Sequence, residues 1–249
     1  MAISDSLKDI IKHTAGSGLV EMVKIVGTPT EAKIEAIDTD KTVVIFGTMY
    51  QPIAGIDTTI GLSQIAILKG YLEYSLFSSD KSSIDIVTEN RSGAVVPTEL
   101  KFSSGKGHFS NYRFMSESLV NEQIKVPAFK GATWDVTITP EKSKIQDLAW
   151  VQGVLGGLEK RFIVSVDKGV LNFNVGAGPT NRTVVPFSEN VTGTMKTHWT
   201  WPLSQVLSIL KLSDTASNTT MYFSDMGALK IDIDSGIGKY SYILPAGKS

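Results

Sequence analysis

With 249 residues and no cysteine, the chain excludes disulfides and any Cys-ligated zinc site. Apolar residues make up 42% and charged residues 20%, which suits packed cores rather than disorder, and no apolar run nears the ~20 residues of a membrane helix. A net charge of −1 argues against a uniformly basic nucleic-acid binder and leaves room only for one whose basic residues gather on one face.

The polar start Met1-Ala2-Ile3-Ser4-Asp5-Ser6 lacks the basic-then-apolar plan of a secretion signal, so a cytoplasmic location is expected. A first helix is predicted over 5–15, with Leu7, Ile10, Ile11 and Thr14 as its buried stripe, Ser4 or Ser6 as cap, and Gly16-Ser17-Gly18 as its end. Lys8 and Lys12 fall on a shared face away from that stripe. Segments 20–26 and 32–38 alternate apolar and polar like half-buried strands, and 42–46 is a β-branched run. A second helix is predicted over 62–72, with Lys69 near its end. Strands follow at 83–88, 98–103 and 109–115, the last two joined by the turn Ser104-Gly105-Lys106-Gly107. From Ser116 to Gly131 the pattern breaks down, and Pro127 opposes helix, so this stretch reads as a surface connector.

The second half repeats the plan. A strand is expected at 134–139, then a helix from Pro140 to about Val151 carrying Lys142 and Lys144. Strands are expected at 162–166, 170–175 and 183–187. Pro202 opens a helix ending at Leu210-Lys211-Leu212, and strands at 219–223, 228–234 and 239–244 close the chain. Lys41-Thr42-Val43-Val44-Ile45-Phe46 is echoed 141 positions later by Arg182-Thr183-Val184-Val185-Pro186-Phe187, and Leu62-Ser63-Gln64-Ile65 by Leu203-Ser204-Gln205-Val206 at the same offset. Collinear echoes of this kind imply tandem copies of one fold.

Several segments carry a family likeness: Ala36-Ile37-Asp38-Thr39-Asp40-Lys41, the endings Ile-Leu-Lys at Lys69 and Lys211, and Ala228 to Ile233 followed by Lys239 to Ala246. In their order and spacing the chain resembles the DNA sliding clamps, the processivity factors that include proliferating-cell nuclear antigen and the clamps of T-even-type bacteriophages. The resemblance implies an α+β DNA clamp fold with two similar domains, each with two short helices packed on antiparallel sheets. Domain 1 would be 1–115, the connector 116–131 and domain 2 132–249. Two-domain members close as homotrimers around double-stranded DNA and tether the DNA polymerase, with ATP hydrolysis left to a separate clamp loader. The implied chain has no catalytic residue, metal or cofactor of its own and no membrane partner.

The resemblance also implies roles. Lys8, Lys12, Lys69, Lys142, Lys144 and Lys211 would face DNA from the four helix segments, where a mobile, hydrated point charge can pass between phosphates without reading bases. Ile37, Lys41, Val126, Tyr242, Leu244 and Pro245, with Leu229 beneath, would hold an apolar peptide from polymerase or loader. The strand of Phe109 and Tyr112 would pair with that of Val184 and Val185 on the next subunit, with Pro186 fitting an edge but interrupting the ladder.

Enzymatic readings find no support in the sequence. His13, His108 and His198 stand alone without ligand spacing, and no Gly-x-Ser-x-Gly elbow is present. Asp232 and Asp234 share a strand face, where solvation is the default over cation binding. Two alternatives remain: a β-rich viral tail or capsid protein, which needs no lysines on helices, and a carbohydrate-binding sandwich, for which Trp199 and Trp201 would form an exposed platform.

Overall fold

The first helix, α1, runs over Ile3–His13, two residues earlier than its periodicity suggested. Ile3 lies one turn before Leu7 and extends the apolar stripe of Leu7 and Ile10, which are fully buried. The cap therefore falls on Ala2, and Ser4 and Ser6 are inside the helix. It also ends two residues early, at His13: Thr14 leaves the helix but donates its hydroxyl to the Ile10 carbonyl at 2.6 Å, and a 3-10 turn, Ala15–Ser17, follows, which Gly18 closes with φ 74°.

The computed structural model describes residues 2–91, 93–176 and 181–248. Two units emerge, Met1–Pro127 with Ile237–Tyr240, and Ala128–Gly236 with Ser241–Ser249. The first unit continues with β1 (Val23–Gly27), β2 (Ala32–Ile37), β3 (Val44–Met49), β4 (Thr59–Leu62), α2 (Ile65–Glu73), β5 (Ser83–Arg91), β6 (Ala94–Ser103), β7 (Phe109–Arg113) and α3 (Glu117–Gln123). One antiparallel sheet is ordered β4-β1-β2-β3, and a second is β5-β6-β7.

Two predicted elements of this unit change. Leu62 belongs to β4, whose Ile60 pairs with Ile25 of β1, and Gln64 turns the chain at φ 50° before α2 begins. The connector is not irregular throughout, because α3 occupies its first half. Val120 of α3 is fully buried against Gly61 of β4, where a β-carbon would stand 2.7 Å from Val120.

The second unit holds β8 (Val136–Ile138), α4 (Lys142–Leu155), β9 (Arg161–Asp167), β10 (Val170–Val175), β11 (Thr183–Ser188), β12 (Trp199–Pro202), α5 (Leu203–Leu210), β13 (Asn218–Ser224) and β14 (Ala228–Asp234). The last strands are β15 (Gly238–Pro245), whose residues from Ser241 belong here, and β16 (Gly247–Lys248). One sheet runs β11-β10-β9-β12-β16, and β13 pairs with both β14 and β8. The order β12-β9-β10-β11 reproduces β4-β1-β2-β3, so β3 and β11, the homes of the repeated Val-Val run, are equivalent strands. Pro140 lies outside α4, which Glu141 caps. Pro202 ends a strand that the sequence did not reveal before capping α5. The core here is aromatic: Phe173 stacks on Phe187 at 4.1 Å and lies 4.6 Å from Phe162.

Candidate nucleic-acid interface and partner pocket

The amphipathic α1 buries Leu7, Ile10 and Ile11 and leaves Lys8 and Lys12 exposed. Lys69 projects from α2, and the three lysines converge on one groove of about 310 Å³ floored by Ile11 and Leu72. Glu73 stands at its rim, 3.8 Å from Lys69, one helical turn on. Such an exposed pair is worth little and yields readily to a phosphate. Gly16 lets the chain return closely past α1, since a β-carbon would meet the Ile11 carbonyl at 2.8 Å. His13, on the same helix, is only 1% exposed. Burial pulls its pKa down to about 4, against an opposing pull from Asp9 and with a small further lowering from Lys12. It is therefore neutral and internal at neutral pH, and cannot serve as a phosphate ligand.

In the second unit Lys142 pairs with Asp214 at 2.9 Å, both well exposed. Lys144 is half-buried and stands 4.0 Å from Asp147. Lys211 is exposed at the start of a 3-10 turn, Lys211–Thr215, that extends α5. Both units thus present lysines on helical segments.

Of the predicted pocket residues, Ile37, Lys41 and Val126 lie in the first unit. Ile37 and Val126, with Met22, pack on the buried cluster of Met115, Val120 and Ile124. Beside them is a depression of about 330 Å³ whose lining includes Glu21, Met22, Ile37, Lys41 and Ile124. The loop that presents Lys41 is stapled by the Asp38 carboxylate, which accepts from the Val43 N–H at 2.7 Å and the Thr42 hydroxyl at 2.6 Å. Lys41 itself sits at φ 56°. Met22 and Ile124 were missed as lining residues because only α3 brings Ile124 under Ile37. Leu229, Tyr242 and Leu244 belong to the second unit and are fully buried there, while Pro245 is exposed. The Leu244 carbonyl accepts from the Trp201 indole N–H.

The four predicted interface residues divide by strand alternation. Phe109 is 69% and Val184 53% exposed, whereas Tyr112 and Val185 point inward. The Tyr112 hydroxyl donates to the Ser63 carbonyl, and burial pushes its pKa up to about 12. These two side chains support the strands from inside, and their backbones remain on the edges. β7 and β11 each end a sheet, and Pro186 of β11 sits opposite Asn172 beside a bulge.

No group of three metal-ligating side chains occurs among the described residues. Asp232 is occupied by Lys230 and the Ser241 hydroxyl, both at 2.7 Å. Neither tryptophan of the supposed sugar platform is an open face: Trp201 is fully buried, and Trp199 is half-buried over Gly227.

Three solved structures align with nearly the whole chain. A PCNA from A. fulgidus, bound to the C-terminal region of FEN-1, matches 99% of this chain and 96% of its own with a TM-score of 0.69 at 14% identity. The fold is that of the sliding clamps. The PCNA2–PCNA3 complex of Sulfolobus tokodaii gives a TM-score of 0.65 at 12% identity, covering 98% of this chain and 97% of that one. The proliferating cellular nuclear antigen of Entamoeba histolytica gives 0.62 at 10%, with 96% and 95% covered. No family model and no curated protein matches the sequence. The clamp fold is therefore carried by element order and topology, at a sequence divergence where few side chains persist.

Proposed function

We propose that the chain is a DNA sliding clamp that closes as a homotrimer around duplex DNA and tethers a DNA polymerase. The observation that carries this reading is the placement of lysines on the helices of both units, within a clamp fold. Backbone contact through lysine gives affinity without sequence preference, which sliding requires. The two open edges, β7 and β11, supply a heterologous contact of the kind that closes rings. The depression beside Ile37 and Lys41 suits an apolar anchor from polymerase or clamp loader. The role asks for no chemistry and no cofactor. A tail or capsid protein would also pair its edges, but gains nothing from helix lysines.

A mass in solution near 81 kDa, about three times 26.9 kDa, is the expected result of light scattering on the purified protein. Replacing Lys8, Lys12, Lys142 and Lys144 together by alanine is expected to leave that mass unchanged. It should abolish loader-dependent stimulation of the polymerase from the same source. A monomeric wild type, or full stimulation by the quadruple variant, would overturn the proposal.

A further inference from the structure

One four-residue run takes two conformations in this chain. Leu203-Ser204-Gln205-Val206 forms the first turn of α5, which opens directly after Pro202. Its copy Leu62-Ser63-Gln64-Ile65 does not: Leu62 ends β4, Ser63 lies outside any element, and Gln64 is left-handed at φ 50° and ψ 44°, so α2 starts only at Ile65. Three of the four residues are identical and the fourth exchanges valine for isoleucine, so intrinsic preference does not separate the two. A left-handed conformation is unfavourable for glutamine. Gln64 also makes no side-chain cap bond, while Ser63, a favoured cap residue, stands one position before it. The local sequence therefore favours a helix one residue longer than α2.

Contacts from elsewhere in the first unit hold it short. Gly61 exchanges both backbone hydrogen bonds with Met115, at 3.1 and 2.8 Å, and Leu62 pairs with Val23, which keeps the chain extended up to Leu62. The position matching Gly61 in the second unit is Pro202, which has no N–H to give. Past Leu62, the Ser63 carbonyl accepts from the Tyr112 hydroxyl. In a longer helix that carbonyl would accept the Ile67 N–H, four residues on. With it occupied, the Ile67 N–H turns to the Gln64 carbonyl at 2.9 Å. Tyr112 is 4% exposed, so bulk water does not compete for its hydroxyl.

We propose that the Tyr112 hydroxyl is a latch on the start of α2. Once it lets go, Gln64 becomes right-handed like Gln205, Ser63 becomes the cap, and the Ser63 carbonyl takes the Ile67 N–H. Tyr112 acts through Ser63 and is a positioning residue. β7 is the last strand of its sheet, and α2 carries Lys69. A disturbance of that edge strand therefore reaches the start of the lysine-bearing helix through one hydrogen bond. All of these residues lie in the first unit, and the latch exists in a single chain whatever its assembly.

Nuclear magnetic resonance on wild type, Tyr112→Phe, Ser63→Ala and the variant carrying both changes tests this. Tyr112→Phe removes one oxygen and is expected to fold, which circular dichroism checks. A left-handed residue holds its amide proton close to its own α-proton, so the intraresidue NOE of Gln64 is strong in wild type and is expected to weaken several-fold in Tyr112→Phe. Amide exchange at Ala66 is expected to slow about fivefold or more as the Ser63 hydroxyl caps it, and the double variant should lose that gain. A Tyr112→Phe chain that keeps the wild-type NOE, or whose Ala66 exchange is not slowed, would overturn the latch, since a merely structural tyrosine would only lower stability. Ser63→Ala alone is expected to leave Ala66 unchanged, because the hydroxyl caps nothing while the latch holds. Faster exchange there would show the cap already made and overturn the latch without recourse to Tyr112→Phe.

Discussion

The Tyr240 hydroxyl donates to the Asp9 carboxylate at 2.8 Å, and both are buried. This bond joins the first helix to a strand more than two hundred positions later, inside one unit. Tyr240 also stacks on His13 at 4.4 Å and lies over Gly47 of β3, where a β-carbon would stand 3.0 Å from its ring. Glycine at 47 is what lets the ring lie so close. Replacing Tyr240 by phenylalanine keeps the stack and removes the hydrogen bond to a buried acid. A loss of about 1–3 kcal/mol is expected, measured as a lowered urea midpoint with an unchanged slope. An unchanged midpoint would mean that Asp9 is satisfied without the tyrosine.

His13 makes stability depend on pH. Its pKa falls from 6.5 to about 4 on folding, chiefly because burial disfavours the charged form. The unfolded chain therefore binds more protons between those values, and stability rises with pH across that window. The contribution is fully present above about pH 6.5 and is lost as pH falls toward 4, amounting to at most roughly 3 kcal/mol. Replacing His13 by phenylalanine preserves an aromatic stack and removes the titration. Denaturation at several pH values should then show a flatter profile between pH 4 and 6.5 than wild type.

The fold was legible where local periodicity agreed with tertiary packing. The stripe Leu7, Ile10 and Ile11 predicted a buried helix face and is one, and Thr14 is buried just past the helix end. The repeated Val-Val run located the equivalent strands β3 and β11. Illegible elements were short and defined by partners distant in sequence. β4 is a strand because Ile60 pairs with Ile25. α3 holds because Val120 packs on Gly61, although Ser116, Glu117 and Ser118 make its start look like a loop. The lysines were found as surface residues of helices, but their partners were not: nothing in the spacing joins Lys142 to Asp214, 72 positions apart. Strand alternation separates Tyr112 and Val185 from their exposed neighbours, a distinction that depends on knowing which face is covered.

If the chain encircles DNA as proposed, the Lys142–Asp214 pair bears on its affinity. Asp214 stands 2.9 Å from Lys142, and both are well exposed, so the pair contributes little to stability but competes with phosphate for the ammonium. Asp214→Asn is expected to tighten binding to a short duplex up to about fivefold at low salt, a difference of ~1 kcal/mol. Lys142→Ala should weaken it. Fluorescence anisotropy across a salt series reads both, and the alanine variant should lose about 0.9 from the slope of log affinity against log salt for each phosphate contact removed. Equal slopes for wild type and Lys142→Ala would place that lysine away from DNA.

Under the proposed function, peptide capture should depend on the half-buried side chains of the connector depression rather than on its buried floor. Ile37 is partly exposed over Met115, Val120 and Ile124, so it can meet a ligand while resting on a fixed base. Ile124 is 4% exposed, and shortening it would unseat α3 as well as reshape the site. Replacing Ile37 by serine is therefore expected to weaken binding of an apolar-anchored peptide from the polymerase or loader tenfold or more, with little change in melting temperature. Ile124→Ala should lower both affinity and melting temperature, since it also leaves a cavity in the cluster. Calorimetric titration paired with thermal melts separates the two effects. If Ile37→Ser binds the peptide as wild type does, the anchor lies elsewhere, and the depression serves only to seat the connector.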